Sequence, residues 1–152
     1  MKFHKIDDFF MNLALKKASE AFKKKEVPVG AVLVKKGELI STACNLRESK
    51  KNPTGHAEIL VIEKASKKLR SWRLEDCQLY VSLEPCLMCI GAIIQARIPE
   101  LIYACPDLKT GFSSYYKLDK KTEWKHKIKI RSGLCSQESS LLLKEFFKKL
   151  RA

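Results

Sequence analysis

The sequence has no long apolar run and is short of acidic residues. Its longest apolar stretches, such as residues 29–34, are far below the roughly 20 residues that a membrane-spanning helix needs. The first residues lead into Asp7 and Asp8 rather than into an apolar segment, so no secretory signal is predicted and a cytoplasmic, soluble protein is expected. Nothing in the composition suggests disorder or a fibre.

The residues that are present suffice for one folded domain. A chain of 152 residues with 45% hydrophobic content can bury one core, and no linker, repeat or low-complexity tract divides it. Apolar segments of helical spacing alternate with short apolar runs typical of strands. Helices are predicted at about 7–24 with a cap at Asp7 or Asp8, at 56–69, 86–96 and 141–150; strands are predicted at 27–34, 39–44, 79–83, 101–104 and 128–130. This alternation predicts a single α/β layered domain over residues 1–152.

The charge is strongly positive and uneven. The formal net charge is +13, and residues 117–152 hold 11 Lys and Arg against 4 Asp and Glu, a net of +7. A basic surplus toward one end favours a polyanionic partner. A lysine-rich, well-solvated surface is the alternative explanation.

Six cysteines raise the question of disulfides. Without an export signal, a reducing compartment is expected, where clustered cysteines more often bind metal or react. Cys86 and Cys89 form the only close pair in the sequence. The other four lie in apolar surroundings and are expected to be inert core residues: Cys44, Cys77, Cys105 and Cys135.

Two fragments carry the chemistry, His56-Ala57-Glu58 and Pro85-Cys86-Leu87-Met88-Cys89. Two thiols and an imidazole are ligands that zinc takes. Pro85 suits the first helical position, and Cys86 and Cys89, three residues apart, share one face of the helix. His56 and Glu58, two residues apart, can serve one site only if it lies off the end of their helix. We therefore expect two helix N-termini to point at one metal, where their positive ends favour thiolates.

The number of ligands predicts a catalytic metal. Structural zinc sites use four protein ligands, whereas catalytic sites use three and leave a position for water. Glu58 is then the acid and base that handles the protons of that water. Two alternatives remain: a structural zinc with Cys44, Cys77 or Cys105 as fourth ligand, and a redox Cys-x-x-Cys. His-x-Glu followed by Pro-Cys-x-x-Cys favours the zinc deaminases.

With these fragments the chain resembles the cytidine deaminase superfamily, and in particular the bacterial tRNA adenosine deaminases. The resemblance extends over nearly the whole chain. Its marks are residues 26–32, Asn45, residues 53–58, 79–86, 96–98 and 107–111. The zinc motif alone specifies only the superfamily, while the stretch 107–111 separates this branch from deaminases of free guanine or cytosine.

The resemblance implies a fold and a reaction. The fold is a three-layer α-β-α sandwich around a mixed sheet of about five strands. His56, Cys86 and Cys89 would hold one Zn²⁺ per chain, and Glu58 would shuttle protons. The activity would be hydrolytic deamination of adenosine to inosine at the wobble position of tRNA anticodons, by zinc-activated water, in a homodimer whose site borrows residues from the partner.

The resemblance also implies substrate contacts. Asn45 would hydrogen-bond the purine edge, Pro28 and Val29 would pack against the flipped base, and Asp107 would touch the ribose–phosphate backbone. Three residues of the last helix would meet the anticodon loop: Phe147, Lys148 and Arg151. Simpler roles remain open for some of these, since Asn45 suits a turn at a strand end, Asp107 suits a loop cap, and one of Phe146 and Phe147 is expected only to pack.

The sequence departs from the family between residues 105 and 126. Pro106 precedes Asp107, and residues 112–116, with Tyr115 and Tyr116, replace a small glycine-bearing turn. Such a segment would affect which tRNAs fit, with the two tyrosines available to stack on flanking bases. Two other functions remain open. The first is a deaminase of free bases or nucleosides, against which the basic tail argues. The second is a non-catalytic module that binds zinc and RNA, against which Glu58 argues.

Overall fold

The computed structural model describes residues 2–116 and 127–152. Five strands form one mixed sheet with helices on both faces, which confirms the predicted three-layer sandwich. The helices are α1 (Lys5–Lys23), α2 (Ala57–Leu69), α3 (Leu87–Gln95) and α4 (Ser136–Arg151). The strands are β1 (Gly30–Lys35), β2 (Glu38–Cys44), β3 (Cys77–Leu83), β4 (Glu100–Cys105) and β5 (Lys129–Ser132). In the described ranges, no helix combines the length and the apolar character needed to cross a membrane.

The sheet changes from antiparallel to parallel pairing along its width. Its order is β2-β1-β3-β4-β5, with β1 antiparallel to both β2 and β3, and with β3, β4 and β5 parallel. The hairpin between β1 and β2 closes over Lys36 and Gly37, whose φ angles of 50° and 79° suit a tight turn. The parallel strands β3 and β4 need a crossover, which α3 supplies.

Alternate residues of the strands build two separate cores. The larger core lies under α2 and α3, and the smaller one lies under α1. Because successive strand residues point to opposite faces, odd-numbered positions of β1, β3 and β4 enter the larger core and even-numbered positions the smaller one. Strand residues of the larger core include Ala31, Leu33, Leu79, Val81 and Leu101; those of the smaller one are Val32, Val34, Tyr80, Ile102 and Ala104.

Predicted helix starts differ from those observed in three helices. The last helix, predicted from residue 141, begins at Ser136. His4, not Asp7 or Asp8, caps α1, and Asp7 lies inside its first turn, where its carboxylate accepts the His4 N–H at 2.8 Å. Pro85 is not the first residue of α3, because Cys86 occupies the cap with an extended backbone (ψ 177°). That extended backbone lets Cys86 pair with Gly111 as an isolated β-bridge.

Asp7 joins α1 to the sheet through buried hydrogen bonds. Arg131 Nη1 and Nη2 donate to its two carboxylate oxygens at 2.8 and 3.0 Å, and Tyr80 donates at 2.7 Å. Arg131 Nε also donates to Glu100 at 2.7 Å. Burial disfavours the charged carboxylate, but the hydrogen bonds from Arg131, the His4 amide and Tyr80 prevail and lower the pKa of Asp7 to about 2.

We expect Asp7→Asn to lower the free energy of unfolding at pH 7 by about 3 kcal/mol, because it removes one of the two carboxylates that the buried Arg131 guanidinium binds and leaves Glu100 to balance its charge. The folded-state pKa of Asp7 is depressed from 3.8 to about 2, so its contribution is complete above pH 3.8 and is lost as the pH falls toward 2. Urea unfolding of both proteins from pH 7 downward should show their difference narrowing below pH 3.8. Asp8→Asn, at the exposed neighbouring position, is the control; a pH-independent difference for Asp7→Asn would contradict this account.

Candidate active site

Two helix N-termini converge on one cluster of donor atoms. His56 is the N-cap of α2, Cys86 is the N-cap of α3, and Cys89 is the third residue of α3. His56 Nδ1 lies 3.7 Å from Cys86 Sγ and 3.5 Å from Cys89 Sγ. All three donor atoms are within 4.8 Å of one another. The site therefore has the predicted end-on arrangement, off the starts of both helices.

The cluster fits a zinc ion. With Zn–S near 2.3 Å and Zn–N near 2.0 Å, tetrahedral coordination holds a nitrogen and a sulfur ligand about 3.5 Å apart. The two observed nitrogen–sulfur distances match this spacing. Among the described residues the donor cluster has three members, and none of Cys44, Cys77 and Cys105 belongs to it. The donor set thus fits the open, three-ligand kind of site rather than a closed structural one.

The cluster is electrostatically polarised. The hydrogen bond from the Cys89 thiol, aided by His56 against the opposing effect of burial, lowers the pKa of Cys86 to about 4. The hydrogen bond with Cys86 in turn raises the pKa of His56, and the same pairing with Cys86 raises that of Cys89. The three donors are thus coupled to one another, and a bound metal would take the place of their shared protons, since ligands lose their protons on coordination.

Glu58 lies beside the donors without belonging to them. It is the second residue of α2, is only 4% exposed, and stands outside the donor cluster. Burial raises the pKa of its carboxyl group. Glu58, His56 and Cys86 all line one cleft. The carboxyl group is thus not one of the three clustered donors, and it shares the cleft with two of them.

The cleft has a volume of about 1060 Å³ and draws its walls from distant parts of the chain. Its lining comes from the segment before β1, the segment after β2, the starts of α2 and α3, the loop after β4, and one side of α4. Its rim carries the cations Arg47, Lys109, Lys144 and Arg151. The basic rim and apolar walls suit a nucleobase attached to a phosphate backbone.

Most of the predicted substrate contacts line the cleft, but two do not. The lining includes Asn45, Val29, Asp107, Phe147 and Arg151. Pro28 is buried and does not line the cleft, whereas the neighbouring Val27 does. Lys148 follows Phe147 on α4 and is exposed to solvent, but it does not line the cleft either. Sequence inspection missed Val27, Arg47, Leu108, Lys109 and Lys144. Spacing gives no signal for them except on α4, where Lys144, Phe147 and Arg151 recur at helical intervals.

Asn45 and Asp107 both perform the simpler roles left open above. Asn45 Nδ2 donates to the Val27 carbonyl at 3.2 Å, and its Oδ1 accepts the Arg47 N–H at 3.2 Å. Asp107 Oδ1 accepts the N–H groups of Lys109 and Thr110, both at 3.0 Å, so it caps its own loop. An amide nitrogen carries two hydrogens, so Asn45 keeps one for a ligand while it shapes the strand end.

The aromatic pair on α4 divides as expected. Phe146 is buried, with its ring centroid 5.8 Å from that of Phe22 on α1, and it packs α4 onto the body of the protein. Phe147 is 41% exposed and faces the cleft. Tyr115 and Tyr116 are exposed, while residues 117–126 of the divergent segment lie outside the described residues.

Comparisons with known proteins agree with this site. A family model described as MafB19-like deaminase matches residues 6–151. The tRNA-specific adenosine deaminase of Aquifex aeolicus is 47% identical over 146 residues, which are 95% of each chain. That of Bacillus subtilis is 42% identical over 146 residues, which are 95% of this chain and 91% of the relative.

A solved structure gives the same placement. It comes from a study of A-to-I editing by tRNA:A34 deaminases at the wobble position of transfer RNA. It superposes with a TM-score of 0.81 at 40% identity, covering 89% of this chain and 99% of that one. The chain therefore belongs to the MafB19-like deaminase family and groups there with the tRNA-specific adenosine deaminases.

Proposed function

We propose that the chain hydrolyses adenosine to inosine, with release of ammonia, at the wobble position of tRNA anticodons. The observation that carries the proposal is the His56, Cys86 and Cys89 donor cluster beside the buried carboxyl group of Glu58. The similarity to tRNA-specific adenosine deaminases supports the choice of substrate. The whole chain, residues 1–152, would act as one deaminase domain.

The proposed chemistry assigns the ligands and the proton carrier separately. His56, Cys86 and Cys89 would hold one zinc ion, whose Lewis acidity makes water a strong nucleophile near neutral pH. Glu58 would take a proton from the attacking water and deliver it to the purine ring. It would then take the proton of the new hydroxyl group on the attacked carbon and pass it to the amino group, which leaves as ammonia. Its buried position at the cleft floor excludes bulk water from these transfers. Glu58 thus begins and ends each cycle in the same protonation state.

The base would be held by the walls around Glu58. Asn45 would donate its remaining amide hydrogen to the purine edge, as amide side chains suit adenine. Val29, with Pro28 behind it, would support the face of the base, and Asp107 would stand beside the ribose. Because a recessed site cannot reach a stacked base, the target must be flipped out, which costs least in a loop.

The rim supports RNA rather than a free base as the proposed substrate. A neutral purine gains little from the cations Arg47, Lys109, Lys144 and Arg151, whereas phosphates on both sides of a target nucleotide gain much. Phe147 offers an exposed ring for a neighbouring base, with Lys148 one residue further along the same helix.

We also propose that the enzyme is a cytoplasmic homodimer. Leu87 and Met88, exposed at 49% and 36%, lie between the two cysteine ligands at the start of α3. A second copy covering them would shield the cluster and bring its own residues near the site. Sedimentation equilibrium at micromolar concentration is expected to give twice the mass of the chain.

Turnover of a substrate panel tests the proposed function. We expect an anticodon stem-loop with adenosine at the wobble position to yield inosine there, and free adenosine to remain unreacted, because phosphate contacts supply much of the binding. Inosine would be measured by nuclease digestion and chromatography. Faster turnover of adenine, guanine or free adenosine than of the stem-loop would replace the proposal by a small-molecule deaminase.

The end of α4 predicts a change in salt dependence. Lys148→Ala combined with Arg151→Ala should weaken stem-loop binding and flatten the dependence of log Kd on log salt, by about 0.7 for each phosphate that the variant no longer neutralises. Fluorescence anisotropy across a salt series would measure both. The matched control removes two cations remote from the cleft, Lys36→Ala with Lys67→Ala, and should leave the slope unchanged. Equal slopes for both double variants would exclude Lys148 and Arg151 from the phosphate contacts.

A further inference from the structure

Glu84 is a buried carboxylate to which the proposed mechanism gives no role. It follows β3 directly, two residues before Cys86, and is 3% exposed. Its Oε2 accepts the backbone N–H of Asp107 at 2.9 Å, and its Oε1 accepts that of Ser113 at 3.0 Å. Both bonds go to one segment, residues 106–113, which we call the cleft loop. One side chain therefore fixes this loop near both of its ends.

The cleft loop is a wall of the proposed substrate site. Its residues Pro106, Asp107, Leu108, Lys109 and Thr110 all line the cleft. Leu108 is 83% exposed. An exposed apolar side chain next to the cation Lys109 suits contact with a nucleotide, whose base is apolar on its faces and whose phosphate is negatively charged. The position of the loop therefore determines where part of the substrate can lie.

The cleft loop also contacts the segment that carries Cys86, one member of the donor cluster. Phe112 N–H donates to the Pro85 carbonyl at 2.9 Å, and Gly111 pairs with Cys86. A Cβ atom at Gly111 would lie 2.3 Å from Glu84 Oε2 and 2.4 Å from the Asp107 carbonyl oxygen. The φ of Gly111, −63°, suits any residue, so lack of space alone demands glycine here. The loop approaches Glu84 as closely as a backbone can.

The carboxylates of Asp107 and Glu84 stabilise the cleft loop in different ways. Asp107 bonds the Lys109 and Thr110 amides, which fixes the internal shape of the loop. The Glu84 carboxylate connects that shape to the end of β3, next to the backbone contacts that Gly111 and Phe112 make with residues 85 and 86. A hydrogen bond to a charged group changes an equilibrium by roughly ten- to a hundredfold, so removal of the Glu84 carboxylate would loosen the loop at residues 107 and 113.

We propose that Glu84 is a positioning residue that holds the cleft loop as a preformed wall for the nucleotides flanking the deaminated base. The inference rests on the proposed function for its substrate. Glu84 acts through the Asp107 and Ser113 amides rather than on the reacting atoms. Its removal should therefore affect substrate binding more than the chemical step.

Glu84→Gln tests the proposal with a side chain of the same shape. The new amide group would face one of the two N–H donors, which breaks that bond. We expect amide hydrogen exchange at Asp107 and Ser113 to rise at least about tenfold without substrate. The KM for the anticodon stem-loop should rise by about tenfold or more, while kcat changes by less than about threefold and zinc content stays at one per chain.

Gly111→Ala provides a second variant and Glu100→Gln a control. Because its Cβ would occupy the Glu84 contact, Gly111→Ala should reproduce both the faster exchange and the higher KM. Glu100 is a largely buried carboxylate bound to Arg131 at the far end of β4, so its replacement should lower stability and leave KM unchanged.

Several outcomes would overturn the role of Glu84. Unchanged exchange at both amides would show that the carboxylate does not hold the loop. Faster exchange with unchanged KM would show that the loop does not position substrate. Loss of zinc at unchanged KM would show that Glu84 supports the metal ligands rather than the substrate. If the wild-type protein is inactive on the stem-loop, the proposed function fails by itself, and the exchange measurement still decides whether Glu84 holds the loop.

Discussion

Glu58→Ala is expected to reduce turnover of an anticodon stem-loop by about a thousandfold, the middle of the range for loss of a general acid–base group. The variant should retain one zinc per chain, because the Glu58 carboxyl group lies outside the donor cluster of His56, Cys86 and Cys89. It should also bind RNA as tightly as the wild type, because the cationic rim of the cleft is untouched. The effect should therefore fall on kcat.

The size of this effect follows from how Glu58 is held. The Glu58 side chain is only 4% exposed, so bulk water or a buffer base cannot take over its role. The other acidic residues of the described ranges that line the cleft are Glu84 and Asp107, and both accept hydrogen bonds from backbone amides of the protein. Glu58→Gln should be nearly as inactive as Glu58→Ala, because an amide of the same size cannot carry the proton. Single-turnover assays with saturating enzyme would isolate the chemical step from binding.

Glu63→Ala supplies the control for changes in α2. Glu63 lies on the same helix but is exposed to solvent, so its removal should leave kcat, KM and zinc content at wild-type values. If Glu58→Ala instead loses its zinc, Glu58 is a ligand and its assignment to proton transfer is wrong. If it keeps full turnover, another group carries the protons.

The donor cluster was predictable because its residue types and spacing leave few alternatives. A three-residue spacing places Cys86 and Cys89 together at the start of one helix, and the two-residue spacing of His56 and Glu58 demands a site off the end of another. The observed nitrogen–sulfur distances of 3.5 and 3.7 Å agree with that expectation. The layered fold followed from the alternation of strand and helix patterns.

The walls of the cleft were only partly predictable, because contacts between distant segments leave no periodic signal. Lys109 and Leu108 look like ordinary loop residues, and Val27 was expected to begin a strand that in fact starts at Gly30. The strand starts late because the Val29 N–H bonds locally to the Val27 carbonyl at 2.8 Å, which turns the chain before the sheet.

Buried carboxylates were the main omission. In the sequence Asp7, Glu26 and Glu84 resemble surface acids or helix caps, yet each is at least 97% buried in the structure. Their partners are a distant guanidinium or backbone amides, and an amide is present at almost every position, so residue type cannot reveal the pairing. Glu26, for example, accepts the N–H groups of Glu48 and Ser49 at 2.9 and 2.7 Å, and so anchors the segment that follows Asn45.

Cys89→Ser is expected to abolish zinc binding and turnover together. Cys89 is fully buried within the cluster, and three protein ligands leave no spare one to compensate for its loss. A serine hydroxyl has nearly the same size but does not become an anionic ligand near neutral pH. Zinc released by denaturation and quantified with a chromogenic chelator should fall from one equivalent to almost none. The thermal midpoint should fall as well, because a metal that binds only the folded state stabilises it.

Cys77→Ala separates loss of the metal from loss of a buried thiol. Cys77 is as buried as Cys89, but it lies at the start of β3 and outside the donor cluster. Burial raises the pKa of its thiol, so it stays protonated and makes a poor ligand at neutral pH. Its removal should cost about 1 kcal/mol of stability through poorer packing, with zinc and turnover retained. Cobalt substitution gives a readout independent of activity, since thiolate-to-cobalt absorption should persist in Cys77→Ala and disappear in Cys89→Ser. Cobalt absorption of wild-type intensity in Cys89→Ser would remove Cys89 from the ligand set, because a single thiolate at Cys86 would give a weaker band.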